Sequence, residues 1–207
     1  MIWDNQSAKN TKQKILNATL NLIAEFGYNG TSVRKIAKAV GIRESAIYNH
    51  FKNKEEIFSS ILQNLFSSPL DDFFTKKPPQ IYAKEGKSYL HEFAMSIKSL
   101  SFDQNYEKLF RIILVELIQN EKVRQMFLEK FFDKNIKQLS NAFFIMMQEE
   151  LIRSDDPMLM AQEFFAPLFY FRLQTLLLKI DGKSAVQFAP VFEKHVEFFW
   201  EGVSINF

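Results

Sequence analysis

The sequence predicts an all-α chain, a small amino-terminal helical domain followed by a larger one. Three observations predict it. Apolar residues recur at three- and four-residue steps along nearly every segment. Glycine and proline number only six each in 207 residues, too few for a turn-rich sheet protein. Charge and aromatics also divide the chain. Residues 1–54 hold nine Lys/Arg against three Asp/Glu and two of the 23 Phe. The remainder holds 17 bases against 21 acids and the other 21 Phe. With 47% apolar residues the chain can bury a sizeable core.

The elements follow in order. Ile15, Leu16, Thr19, Leu22, Ile23 and Phe26 make one apolar stripe, and Gly27 suits the left-handed residue after a helix end. Thr31 or Ser32 can cap a second helix, Val33 to Val40, which Gly41 breaks. A third, short helix runs to about Phe51. Asn53 can cap a long fourth helix that starts at Lys54 and is kinked or ended by Pro69; Pro78 and Pro79 mark a loop. Further helices are expected at roughly 86–101, 104–119, 121–152, 157–180 and 184–203. Asp155, Asp156 and Pro157 make a good helix start, and Gly182 separates the last two. Those two are broadly apolar, the first nearly all round and the second over Phe188, Phe192, Val196 and Phe199, so they are expected to pair with a second copy as a homodimer.

Composition excludes several functions. Without cysteine there is no disulfide, thiolate zinc site or cysteine nucleophile. His50, His91 and His195 lie far apart, so neither a metal nor a cofactor is expected. Neither a glycine-rich phosphate loop nor a histidine base beside paired carboxylates occurs, which argues against an enzyme. The amino end has no apolar core of signal-peptide length, and the apolar run Phe164–Phe171 stops at Arg172, well short of the ~20 residues a membrane span needs. A cytoplasmic protein without membrane contact is expected.

Residues 33–52, VRKIAKAVGIRESAIYNHFK, meet the needs of a helix-turn-helix. Ala37 is small where two helices approach, Gly41 supplies a left-handed turn residue, and Ile47, ten residues after Ala37, anchors the second helix. Ile36, Val40, Ile42 and Phe51 fill the remaining core positions. In such a motif the second helix lies in the major groove and the first crosses the backbone. The basic surplus suits a polyanion.

The stretches ILNATLNLIAEFGYNGTSV, IAKAVGI and IYNHFKNKEEI resemble the amino-terminal domain of TetR-type transcriptional regulators over residues 12–62, most specifically in Tyr48, His50, Phe51, Lys54 and Glu55. The resemblance implies an all-helical homodimer with a DNA-binding domain over residues 1–53. It also implies a domain for small-molecule effector and dimer contacts over 54–207, and ligand-controlled release from a palindromic double-stranded DNA operator. One departure stands out: Arg43, followed by Glu44, occupies the place where the family carries a Ser or Thr cap, which frees Arg43 for phosphate or a guanine edge. Thr19 also replaces a usual alanine.

The resemblance implies a phosphate or thymine-methyl contact for Tyr48 and a phosphate contact for His50. Thr31 or Ser32 and Arg34 sit where the second helix meets the DNA backbone. Lys54 adds charge at a helix start that favours phosphate. Arg43, Glu44, Ser45 and Asn49 are the candidates for base edges: Asn suits adenine, Arg guanine, and Glu can accept from cytosine. For the effector, polar residues inside apolar helices are the flags: Tyr89, Tyr106, Glu116, Tyr170, Arg172 and Gln174. The competing reading keeps this fold as a protein-interaction module with DNA as a platform.

Overall fold

A computed structural model describes residues 10–66 and 69–205. Twelve α-helices follow one another among them: α1 Thr11–Gly30, α2 Val33–Val40, α3 Glu44–Tyr48, α4 Lys54–Phe66, α5 Pro69–Lys76, α6 Pro79–Tyr82, α7 Lys87–Phe102, α8 Gln104–Gln119, α9 Glu121–Phe127, α10 Lys134–Gln148, α11 Pro157–Ile180 and α12 Val191–Val203. A π-helical stretch, Leu128–Asp133, lies between α9 and α10. The described residues contain no strand, only an isolated bridge between Ile152 and Ser204.

Helices α2 and α11 have the bounds expected of them, and each carries a side-chain cap. Ser32 accepts the Lys35 N–H, and Asp156 accepts those of Met158 and Leu159. Elsewhere the structure corrects the sequence reading. The chain kinks at Gly27 (φ 72°, ψ 168°) and resumes helix to Gly30 instead of ending. Phe26 therefore leaves the buried stripe and lies under the Lys35 ammonium, 4.8 Å from its ring centroid, while Leu20 is buried. Pro79 opens α6 and does not sit in a loop, because a first helical position requires no N–H donor, the group proline lacks. The helix expected over 121–152 is divided by the π-helical stretch and ends at Gln148. The last helix begins only at Val191, directly after Pro190. Helix α3 stops at Tyr48, and a further turn, with the Phe51 N–H on the Ile47 carbonyl at 3.0 Å, carries Phe51 into the core. The kink or end expected of the fourth helix at Pro69 involves residues 67 and 68, which lie outside the described residues.

The chain packs as two compact units. In the first, described residues as far as 66 pack with Gln104–Gln125; in the second, those from 69 to Asp103 pack with those from Met126 onward. The first unit is organised on α1, which contacts α2, α4 and α8 and buries Ile15, Leu16, Thr19, Leu20 and Ile23. The second is built on α7, α10, α11 and α12. Its core is aromatic: Phe93 lies within 6.2 Å, centroid to centroid, of Phe73, Phe74, Phe164 and Phe165. Each such fully buried ring contributes roughly 1.5–3 kcal/mol.

His195 on α12 is part of this core. Its Nε2 donates to the Phe164 carbonyl at 2.8 Å, and its ring stacks on that of Phe164. Burial, the larger effect, holds the imidazole below its usual value of 6.5, against the opposing pull of that carbonyl. The folded state thus prefers the neutral ring. As pH falls the unfolded chain takes up the proton first, so this contribution to stability is complete above about 6.5 and is lost as pH falls through that value. The melting temperature is expected to fall more steeply from pH 7.5 to 5.5 in the parent chain than in His195→Gln.

Candidate nucleic-acid interface

The turn between α2 and α3 follows from Gly41, whose φ of 77° and ψ of 32° place it in the left-handed region. Behind it the Ile42 N–H bonds the Ala37 carbonyl at 3.0 Å and the Gly41 N–H bonds the Ala37 and Lys38 carbonyls, satisfying carbonyls that the end of α2 leaves free. Ile36, Ala37, Ile47 and Phe51 are buried; Val40 and Ile42, expected in the core, are only half-buried. Ile47 is thus the inward anchor of a helix just five residues long. A helix this short has little stability of its own, so its orientation is set by that anchor and the glycine bend.

The other face of α3 is open. Arg43, Glu44, Ser45, Tyr48, Asn49 and His50 are all exposed, Tyr48 to 54%. Arg43 has extended backbone and makes no side-chain cap; its carbonyl accepts the Ala46 N–H at 3.0 Å. Ser32 and Arg34 are exposed at the start of α2. The bend into α4 is fixed reciprocally, since Asn53 accepts the Glu56 N–H at 2.8 Å while the Glu56 carboxylate accepts the Lys52 N–H.

Two residues assigned to DNA contact from sequence are engaged within the fold. Thr31 is buried and its hydroxyl donates to the Gly27 carbonyl at 2.9 Å. Lys54 is half-buried; its ammonium donates to the Tyr28 and Thr31 carbonyls at 2.9 and 3.0 Å and lies 3.9 Å from the Tyr28 ring centroid. Tyr28, which the sequence did not flag, is the hub of this corner. Its hydroxyl donates to Glu55 at 3.0 Å, its ring packs on Phe58, and its N–H donates to Glu116 at 3.3 Å. Burial first, and the Glu55 carboxylate next, push its hydroxyl pKa up. These partners are 26 to 88 positions away, so no local pattern could have shown them.

The residues proposed for an effector divide between the two units. Tyr106 and Glu116 belong to the first unit, and Tyr89, Tyr170, Arg172 and Gln174 to the second. Glu116 is buried on α8 and engaged by the Tyr28 amide. Tyr89 is fully buried, its hydroxyl on the Lys77 carbonyl at 3.3 Å and its pKa raised by burial. Arg172 is buried with its guanidinium 6.0 Å from the Phe131 ring centroid. Gln174 and Tyr106 are half-buried, and Tyr170 is exposed. Glu116 lines a small cleft of about 100 Å³ beside Gly27 and Arg111 in the first unit, while two larger clefts among the described residues of the second unit are lined by none of the six. One, of about 350 Å³, lies between the π-helical stretch with α10 and the first half of α11. The other, of about 550 Å³, runs between α11 and α12 past Glu163, Pro167, His195 and Phe198.

The family model for the tetR family of bacterial regulatory proteins matches residues 15–61, across α1 to α4, and that for the carboxyl-terminal domain of AefR-like transcriptional repressors matches residues 88–201. The chain belongs to the TetR family. That family is one of bacterial transcriptional regulators, and α3 is the second helix of the helix-turn-helix. Among curated relatives, the negative transcriptional regulator IcaR of the biofilm operon icaADBC in Staphylococcus epidermidis is 32% identical over 100 residues, 48% of this chain and 51% of IcaR. The chain thus spans about half the length of that relative. A TetR-family regulator from Pseudomonas syringae superposes with a TM-score of 0.69 at 19% identity, covering 98% of this chain and 100% of the other. The regulator FadR of Bacillus subtilis, solved in complex with stearoyl-CoA, superposes with a TM-score of 0.67 at 24% identity over 91% of this chain and 97% of FadR. At these identities the superpositions establish a shared fold. Among the described residues no helix is long and apolar enough to cross a membrane.

Proposed function

We propose that the chain is a ligand-responsive repressor that binds a palindromic operator as a homodimer. Residues 1–53 take the DNA and 54–207 take the effector and the partner copy. The observation that carries this reading is the polar, exposed face of α3, held outward by the buried Ile47 and the Gly41 bend. Arg43, Glu44, Ser45, Tyr48 and Asn49 meet base edges, while Ser32, Arg34 and His50 meet phosphate. The dimer is supported by an uncovered stripe. Leu159, Tyr170, Leu177 and Ile180 recur along α11 at steps that keep one face of a helix, and all four are about half exposed. Phe198 on α12 is 77% exposed. An apolar row of this length calls for a partner surface. Repression and effector control are supported by the relatives: IcaR is a negative regulator, and FadR was solved with a bound stearoyl-CoA.

Genomic fragments captured by the protein test this directly. Electrophoretic shift with competitor DNA should favour one inverted-repeat fragment by orders of magnitude; equal affinity for all fragments would favour the platform reading. Binding should also be steeply salt-dependent. Each phosphate neutralised adds about −0.9 to the log–log slope, so about six contacts per dimer lower affinity on the order of 10³-fold between 50 and 200 mM salt. A flat titration would refute the reading.

A further inference from the structure

The cleft beside the π-helical stretch has a definite chemistry. In an ordinary α-helix, at about 100° per residue, Phe132 would point some 140° away from Phe127. The wider π turn brings it back, so that Phe131 and Phe132 both pack on Phe127, with centroids at 4.9 and 5.2 Å. Phe165 and Phe169 of α11 complete the group, at 6.1 and 5.3 Å from Phe132. Phe131 and Phe165 are buried, while Phe132 and Phe169 stay half-exposed and line the cleft together with Ile136, Met158 and Ala166. Its aromatic wall is therefore fixed by neighbouring rings before anything binds, which spares a ligand the ordering cost. The cleft's charged groups are Asp133 and Lys137, one acid and one base four residues apart and both exposed, so it carries no net charge. Gln162 adds an uncharged donor and acceptor. A volume of about 350 Å³ lies at the small end of the range for ligand sites.

We propose that this cleft seats the effector and takes an uncharged, planar aromatic molecule, its rings against Phe132 and Phe169 and a polar edge group on Gln162. The assignment rests on the effector-responsive reading above. A charged ligand of either sign would meet one opposite and one like charge at the cleft, leaving no net attraction to offset its desolvation, whereas a neutral aromatic gains from ring packing without that cost.

N-phenyl-1-naphthylamine, which is neutral, and 1-anilinonaphthalene-8-sulfonate, which puts a sulfonate on the same ring system, are the probes. With the full-length protein, the neutral probe should show saturable fluorescence at one site per chain, and the sulfonate should bind at least tenfold more weakly. Asp133→Trp and Lys137→Trp fill the cleft from exposed positions on the wall opposite α11, away from its uncovered stripe, and should each weaken the neutral probe at least tenfold with an unchanged circular dichroism spectrum. Equal binding of the two probes, no saturation, or unaltered binding in both variants would overturn the proposal. Affinity for the captured fragment, measured with and without the neutral probe, tests the underlying reading separately. A probe held at the cleft that leaves DNA affinity unchanged refutes effector control, and loss of the cleft with ordinary DNA binding refutes only the cleft.

Discussion

Tyr48→Ala combined with Asn49→Ala is expected to lower affinity for the captured operator about 10³-fold or more. Both side chains are exposed on α3, so neither removal opens a cavity, and the melting temperature should stay within a degree or two of the parent. A base-edge contact is worth roughly 1–3 kcal/mol, and a two-fold dimer loses each contact twice, so the pair removes at least about 4 kcal/mol. Discrimination among sequences should fall along with affinity. Fluorescence anisotropy on operator and scrambled duplexes measures both. A uniform loss on both duplexes, with the salt slope unchanged because neither side chain is charged, would instead mark these residues as phosphate contacts. Ile47→Ala makes the contrast: it leaves the outward face untouched but hollows the core beneath it, so it should cost about 2–5 kcal/mol of stability as well as DNA binding.

The second large effect is expected at the uncovered stripe. Leu177→Glu with Phe198→Glu should convert a dimer into a monomer at micromolar concentration in sedimentation, because the substituted carboxylates would be buried unpaired against the partner. Both residues are exposed within the chain, so the aromatic core of the second unit is left intact. Operator affinity should fall by a factor of 10² or more, since a monomer engages one half-site without the linkage that makes the second contact intramolecular. A parent chain that already sediments as a monomer would refute the interface.

The helix-turn-helix was legible in the sequence because its demands are local. A small residue at 37, a glycine at 41 and an apolar residue at 47 are fixed by one bend and two short helices, and the exposed positions follow from that register. The apolar outward face of α11 was legible for a similar reason: a helix greasy nearly all round cannot hide every side within one chain. What was not legible depends on distant partners. Lys54 reads as a phosphate contact until the Tyr28 and Thr31 carbonyls are seen beside it, and Thr31 reads as a cap until its hydroxyl is found on Gly27. Glu116 and Tyr89 were flagged correctly as polar groups in apolar helices, but the partner of each proved to be backbone. The cleft was missed because a π turn has no period of its own to betray it, and a Phe pair at 131 and 132 looks like ordinary core.

That same turn fixes how the chain compares with its kin. A π-helical stretch is in effect a regular helix that has accepted one surplus residue without breaking. Removing one position between Leu128 and Asp133 would restore the common pitch and swing the preceding rings by roughly a quarter turn relative to α10. The aromatic wall is thus tied to a single-residue length difference: a homologue lacking it would align with a one-position gap here, keep the same fold, and present a different surface at this spot.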